Sequence, residues 1–444
     1  MPNTVKEQHS FAVPFNKHIP NARSNMSVFV KATASRSRSL KSILGGIAIV
    51  GASALVLSGC APATDGGSTA GPREPLTLKI GTILPQSGTL AFLGPPEEAG
   101  VALAVKEINE ADLGITVEVE YRDSGDTTTD TATVSVTDLL SLGVTAIVGA
   151  ASSGVSKTVI DQITAAGVVQ FSPANTSIDF TDYADDGLYW RTAPSDVLQG
   201  EVLGNLIAED GVQNLGIIEL NDSYGTGLTK KLTETFEAAG GKVVASPLFN
   251  TGDTVFTTQI SEVIAANPDA IALVTFDEAK IIVPALQGAG YAGPLYFVDG
   301  NLADYSTEFA AGALDGDKGT LPGLDTSTLG DFTDRLLAVD PSLTEFAYAA
   351  EAYDAVVLLA LASLAANSVD GKDIASKLQE VSGGSGDGTK ATDFASAAQI
   401  IIDGGVVDYD GNSGPITFDE NGDPTEATIG IYEYQADNTV KRIN

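Results

Sequence analysis

The chain has 444 residues, a length that accommodates two or three domains, and 43% of them are hydrophobic, ample for a large core. Against 24 Lys+Arg stand 58 Asp+Glu, a formal net charge of −34. That surplus excludes nucleic acid as a partner, because phosphates need a basic footprint. It also excludes an anionic membrane surface as the partner of the folded part.

The first sixty residues differ from the rest. Lys31, Arg36, Arg38 and Lys41 precede an apolar run from Ile43 to Leu57, which closes on Leu57-Ser58-Gly59-Cys60. A basic region, a short apolar region and small residues before a cut site make a secretory signal. The apolar run is short for a spanning helix. A cysteine directly after the small residues resembles the lipobox of bacterial lipoproteins, whose thiol receives a diacylglycerol group and becomes the new N-terminus. The resemblance implies cleavage of residues 1–59, a lipid on Cys60, and attachment to the outer face of the cytoplasmic membrane. Met26 is an alternative start to Met1. Cleavage would remove both histidines (His9 and His18), seven basic residues and only one acid, Glu7. The remaining chain has no histidine, and its only cysteine is the acylated one. Ser-His-Asp and Cys-His catalysis are then excluded, as are His- or Cys-based zinc sites and disulfides. No enzyme, metal or cofactor is expected. Residues 60–75, rich in Gly, Pro, Ser and Thr, read as a flexible tether.

From Leu76 onward, strands and helices alternate. Leu76–Ile80, extended by Thr82–Leu84, is a first strand, and a Pro85-Gln86-Ser87-Gly88 loop leads to Phe92-Leu93-Gly94. Glu97–Glu110 is a helix with Val101, Val105 and Ile108 inward. Ile115–Tyr121 is a strand and Thr131–Leu142 a helix. Ala146-Ile147-Val148 is a short buried strand, followed by the small-residue loop Gly149–Gly154 and a helix with Val155, Val159, Ile160 and Ile163 on one face. Gly167 ends that helix. Val168–Phe171 is another strand and Ser172–Thr176 another polar loop. In a parallel sheet both loops leave carboxyl ends of strands on one edge, where open α/β sheets bind ligands. The first loop also opens a helix, whose free N–H groups favour an anion. Hydroxyls of Ser152, Ser153 and Thr176 would add donors for a small carboxylate, although the same hydroxyls also serve as turn caps.

The alternation resumes after Trp190-Arg191-Thr192. Strands read at Leu215–Leu220, Val243–Phe249, Ala270–Phe276 and Leu295–Val298, with helices at Thr226–Ala239, Thr258–Ala266 and Lys280–Gly288. Further helices read at Leu329–Val339, Phe346–Ala366 and Asp373–Glu380, and strands at Ile416–Phe418 and Thr428–Tyr434. Repeated strand–helix units imply parallel sheets with right-handed crossovers. Two runs of about 120 residues imply two similar lobes.

Five segments in this order carry a family resemblance. They are Ile83–Gly88 with Gly94 and Gly100–Ile108; Val148–Ser153 with Ser172-Pro173-Ala174; Asn221-Asp222-Ser223-Tyr224-Gly225; Ala349–Val356; and Gly414–Asp423. The chain resembles the branched-chain amino acid type of periplasmic binding protein, the solute-binding component of ABC importers. The resemblance implies an α/β fold of two Rossmann-like lobes with parallel sheets joined by a three-crossover hinge. Lobe one would be 76–192 plus 326–413, and lobe two 193–325 plus 414–444. It implies an inter-lobe cleft that captures an amino acid or related small polar carboxylate for a membrane permease. Carried over, Ser153, Ala174 (through its backbone) and Thr176 would hold the α-carboxylate, with Ser152 beside them. Asp299 would hold the α-ammonium, and Tyr224 would pack on the ligand.

Two positions depart from the family pattern. Leu93 stands where the family often has an aromatic residue. Phe276-Asp277-Glu278 stands at another such place, and carboxylates there, Glu278 among them, would favour a cationic or amide-bearing ligand side chain. Rivals within the same fold are an amide, urea or aromatic-acid binder and a ligand-sensing receptor lobe. No membrane or kinase segment follows Asn444 to support the sensor. Asp419–Asp423 superficially resembles a calcium loop, but the rest of an EF-hand is missing and Asn421-Gly422 reads as a hairpin turn, so no metal site is expected there.

Overall fold

The computed structural model describes residues 74–324 and 328–444; Cys60, the leader and most of the tether lie outside them. The first part runs β1 (Leu76–Leu84), α1 (Gly94–Ala111), β2 (Ile115–Asp123), α2 (Thr131–Ser141), β3 (Ala146–Gly149), α3 (Ser153–Ala165), β4 (Val169–Ser172) and β5 (Tyr189–Arg191). These strands form a sheet in the order β2-β1-β3-β4-β5, parallel throughout. The second part runs α4 (Asp196–Glu209), β6 (Asn214–Leu220), α5 (Ser223–Ala238), β7 (Lys242–Ala245), β8 (Leu248–Phe249), α6 (Thr257–Ala265), β9 (Ala270–Val274), α7 (Ala279–Gly288), β10 (Leu295–Phe297) and β11 (Lys318–Pro322).

The chain continues through α8 (Gly330–Val339), α9 (Ala349–Ala366), α10 (Gly371–Val381), β12 (Thr389–Ala391), α11 (Phe394–Ile402), β13 (Val407–Gly411) and β14 (Gly414–Pro415). It ends with β15 (Ile429–Tyr434) and β16 (Val440–Arg442). The second sheet has the order β16-β15-β11-β10-β9-β6-β7, with β8 beside β6. Its strands from β7 to β11 are parallel, and β15 and β16 return antiparallel at one edge.

Apolar packing follows the sheets. One face of the first sheet, with Leu78, Ile80, Val148 and Phe171, packs against α1, α9, α10 and α11. Its other face packs Ile83 and Ile147 against α2 and α3. The second sheet buries Ile217, Ile271, Leu273 and Phe297 against α4 to α7. Ile416 and Phe418 belong to the first of these cores, and β14 pairs with β13.

Helix α9 is the spine of the first core: all but its last two residues are buried. Among the described residues it is the one helix apolar and long enough to cross a membrane, and here it is 89% buried inside the protein. Its buried Asp354 accepts bonds from Tyr409 Oη (2.8 Å), Asn412 N–H (3.1 Å), Ser413 N–H (2.7 Å) and Ser413 Oγ (2.6 Å).

Some elements differ from the sequence expectation. The strand expected over Val243–Phe249 divides into β7 and β8 around Pro247, which has no N–H to give to a ladder. The strand expected at Ile416–Phe418 is only a single bridge from Phe418 to Pro424. Helices α4 and α11 and strands β5, β11, β12, β13, β14 and β16 are additional. Helix α4 meets α5 through small residues: a Cβ at Gly200 or Gly204 would press on Leu232 N or Thr235 Cβ, while its Leu203, Leu206 and Ile207 are buried in the core.

Candidate functional site

Seven residues expected from sequence lie on one small cavity. Leu93, Ser152, Ser153, Ala174, Thr176, Tyr224 and Asp299 line it, joined by Leu90, Ala151, Phe276, Gly300 and Tyr348. Its volume is about 10 Å³, about the space that one water needs. Apart from Tyr348, which precedes α9, the lining comes from segments that follow β1, β3 and β4 of the first sheet and β6, β9 and β10 of the second. All are carboxyl ends of parallel strands, where the strand pairing stops and polar groups face outward together.

On the first-sheet side, Ser152 caps α3, its Oγ accepting the Val155 N–H at 3.3 Å. Ser153 Oγ accepts the Ser177 N–H at 3.3 Å, which leaves its own O–H to donate. The Ala174 N–H is already donated to Ser172 Oγ at 3.2 Å. The Thr176 hydroxyl lies beside the Asp196 carboxyl without the alignment of a full hydrogen bond. This edge therefore presents hydroxyls and the start of a helix, a surface suited to a carboxylate.

The second-sheet side is acidic. Asp299 is buried, and its Oδ1 accepts from Tyr224 Oη (2.7 Å) and Gln199 Nε2 (3.0 Å). Its Oδ2 accepts from Tyr348 Oη at 2.8 Å. Burial raises the Asp299 pKa, and these three donors oppose the rise by stabilising the anion. Burial also pushes both phenols up, so they remain donors. Tyr224 stacks on Phe276 with centroids 5.2 Å apart. The chemistry on offer is a fixed anionic acceptor opposite a set of hydroxyl donors, with an apolar wall of Leu90, Leu93, Ala151 and Phe276 between them.

Glu278 is not on the cavity wall. Its Oε2 accepts the Phe276 N–H at 2.9 Å, which turns the carboxyl back onto the start of α7. Asp277 is engaged with Lys280 at 2.6 Å. Of the triplet, it is Phe276 that reaches the cavity, so the expected preference for a cationic side chain loses its basis.

Sequence reasoning missed Tyr348, Gln199 and Asp196. Tyr348 precedes α9 with φ of 59°, a backbone conformation rare for a bulky residue and most often found at functional positions. Gln199 and Asp196 are on the unread helix α4, whose start was signalled only by Ser195 as N-cap.

The calcium-like segment has a different use. Arg191, fully buried, forms a two-armed pair with Asp423, Nε to Oδ1 at 2.6 Å and Nη2 to Oδ2 at 2.8 Å. Its Nη1 donates to the carbonyls of Asn175 (3.2 Å) and Ser177 (2.8 Å), flanking Thr176. Asp419 accepts the N–H groups of Asn421 and Asp423, closing the turn.

Two sheets with parallel strand ends converging on one cavity define a two-lobed solute-binding protein. Residues 77–414 match the family model described as periplasmic binding protein, and the chain belongs to that family, in its branched-chain amino acid type. A chemotactic signal transduction system substrate-binding protein of Halobacterium salinarum is 26% identical over 356 residues, covering 77% of this chain and 83% of that one. A leucine-, isoleucine-, valine-, threonine- and alanine-binding protein of Pseudomonas aeruginosa is 30% identical over 190 residues, 42% of this chain and 50% of that one.

Among solved structures, a branched-chain amino acid transporter substrate-binding protein of Streptococcus pneumoniae in complex with isoleucine superposes with a TM-score of 0.67. Its identity is 24%, with 83% of this chain and 99% of that one covered. An ABC transporter solute-binding protein of R. palustris in complex with benzoate gives 0.67 at 19% identity, over 83% and 96% of the two chains. The family places the protein outside the cytoplasm.

Proposed function

We propose that the protein is the lipid-anchored solute-binding component of an ABC importer and that it captures a small amino acid with an uncharged, apolar side chain. The observation that carries this reading is Asp299, a buried carboxylate held by three donors across a cavity from free hydroxyls. An α-ammonium supplies the charge that Asp299 needs, and Ser153 and Thr176 face the α-carboxylate. Tyr224 and Phe276 form one wall for the side chain, and Leu90 and Leu93 the other. Lobe one, built on the first sheet with residues 414–424 packed on it, and lobe two, built on the second sheet with β15 and β16 at its edge, would close on the ligand, and the closed form would dock on the permease. Closure needs only a ligand that contacts both lobes at once, since such a ligand binds the closed state better. Cys60 would carry the lipid, and residues 60–75 would give the domain reach from the membrane.

A thermal-shift screen of residues 61–444 against amino acids, amides, urea and small carboxylates tests the ligand class. A ligand at about a hundred times its Kd adds roughly 2.7 kcal/mol. Stabilisation by an amino acid that is lost in Asp299→Ala is the expected result. Stabilisation only by benzoate-like acids, amides or urea would overturn the amine site and favour the second reading, which the benzoate-bound structural neighbour motivates. Labelling of the full chain with radioactive palmitate in a bacterial host, lost in Cys60→Ser, tests the anchor.

A further inference from the structure

Asp196 has no part in the reading above, yet it sits directly behind the site. It is the first residue of α4, and its N–H bonds the Thr176 carbonyl at 2.7 Å. Its side chain is fully buried, and neither carboxyl oxygen has a hydrogen-bond partner among the described residues. The charged and titratable groups that face it are Asp299 after β10, Arg191 in β5, Asp222 at the start of α5, and the phenols of Tyr224 and Tyr348. Arg191 is already committed to Asp423, and both phenols donate to Asp299.

A buried carboxylate without donors is costly, and two neighbouring buried carboxyls do not readily ionise together. The two environments separate the roles. Asp299, with three donors, holds the charge; Asp196, with only the poorly aligned Thr176 hydroxyl beside it, holds a proton. Burial, and then repulsion from Asp299, push the Asp196 pKa well above the usual carboxylate range, against the pull of the Thr176 hydroxyl and of Arg191.

We infer that Asp196 is a proton-exchanging positioning residue, and that an amine entering the cleft against Asp299 expels the Asp196 proton to solvent. The inference rests on the amine reading of the site. The ammonium cancels the repulsion from Asp299, the second of the two causes that hold the Asp196 proton, so the carboxyl gives its proton up more readily and ligand and carboxylates share the new balance of charge. The sign follows from linkage: a pKa raised in the ligand-free protein and lowered in the complex means that binding releases a proton, and affinity rises with pH. A carboxylic acid without an amine gives no release, because it brings no positive charge.

The test is titration calorimetry on residues 61–444 in buffers of different protonation enthalpy. The probes are the twenty standard amino acids and, for each binder, its des-amino acid. Release of up to one proton per amino acid is expected, with affinity rising with pH by up to tenfold per unit. Asp196→Asn, checked for folding by its ligand-free melting curve, is expected to bind without proton release and with a flat pH profile. An amino acid that binds wild type without proton release, or with uptake, overturns the inference and leaves the amine site standing. Undiminished release in Asp196→Asn also overturns it. If no amino acid binds, the amine site fails and this inference fails with it.

Discussion

Replacing Asp423 by alanine would leave the Arg191 guanidinium buried without its counter-charge. Arg191 has no exposed side-chain surface, and Asp423 supplies both of its short charged contacts, at 2.6 and 2.8 Å. The carbonyls of Asn175 and Ser177 and the Thr181 hydroxyl would remain as its acceptors. They satisfy N–H groups but do not offset a whole charge. Removing one partner of such a pair costs about 3–5 kcal/mol, a large share of the roughly 5–15 kcal/mol by which a typical protein is stable. Urea unfolding followed by fluorescence would read the loss directly, because the only tryptophan, Trp190, is adjacent in sequence and packs on Phe418 at 5.2 Å. Ligand affinity is expected to fall as well, since the same guanidinium holds the backbone on both sides of Thr176. The double variant Arg191→Met/Asp423→Ala is expected to recover much of the stability, because an apolar side chain leaves no buried charge. A loss in Asp423→Ala below about 1 kcal/mol, the range of exposed pairs, would refute the reasoning, as would a double variant as unstable as the two single losses added.

Two more predictions follow from buried contacts. Gly100→Ala is expected to cost about 1–3 kcal/mol and to lower the melting temperature, because its Cβ would overlap the Ala349 carbonyl where α1 crosses α9. Glu351 has its pKa pushed to about 8 by burial. The folded protein therefore holds a proton that the unfolded chain gives up near pH 4 to 5. The stability this contributes is complete below that range and is lost as pH rises through about 8, by up to about 1.4 kcal/mol per pH unit. Glu351→Gln is expected to flatten that part of the stability profile in urea melts at pH 5 and pH 8; an unchanged slope would count against a buried, protonated Glu351.

The parts of the site that could be read from sequence are those carried by local pattern. Ser152, Ser153 and Thr176 follow apolar strand runs, so strand–helix alternation placed them at strand ends; Ala174, Tyr224 and Asp299 were named by the family resemblance, at positions that also follow strand runs. Glu278 was misplaced because composition shows that a carboxylate is near a loop but not that its oxygen turns back to the Phe276 N–H. Arg191 and Asp423 lie 232 residues apart, and no local signal links them. Gln199 and Asp196 were unreadable for a different reason. Helix α4 carries an apolar stripe of Leu203, Leu206 and Ile207, but Asp196 and Gln199 are polar residues buried beside it, and nothing local says that Gln199 reaches Asp299, 100 residues away. Tyr348 depends on a left-handed backbone turn that its side chain does not advertise.

Helix α9 has a consequence for biosynthesis. If the secretory signal read in the sequence directs export, the chain threads the membrane translocase unfolded, and there α9 would be presented as an apolar segment with a mean hydropathy of 1.6. In the folded protein Asp354 ties this helix to Tyr409 and to the Asn412–Ser413 turn. In the translocase none of those partners is assembled, and an aspartate deep in a would-be span costs about 2.5–3.5 kcal/mol toward lateral release into lipid. On that route, the residue that anchors the core helix after folding would also help to keep that helix from being left in the membrane.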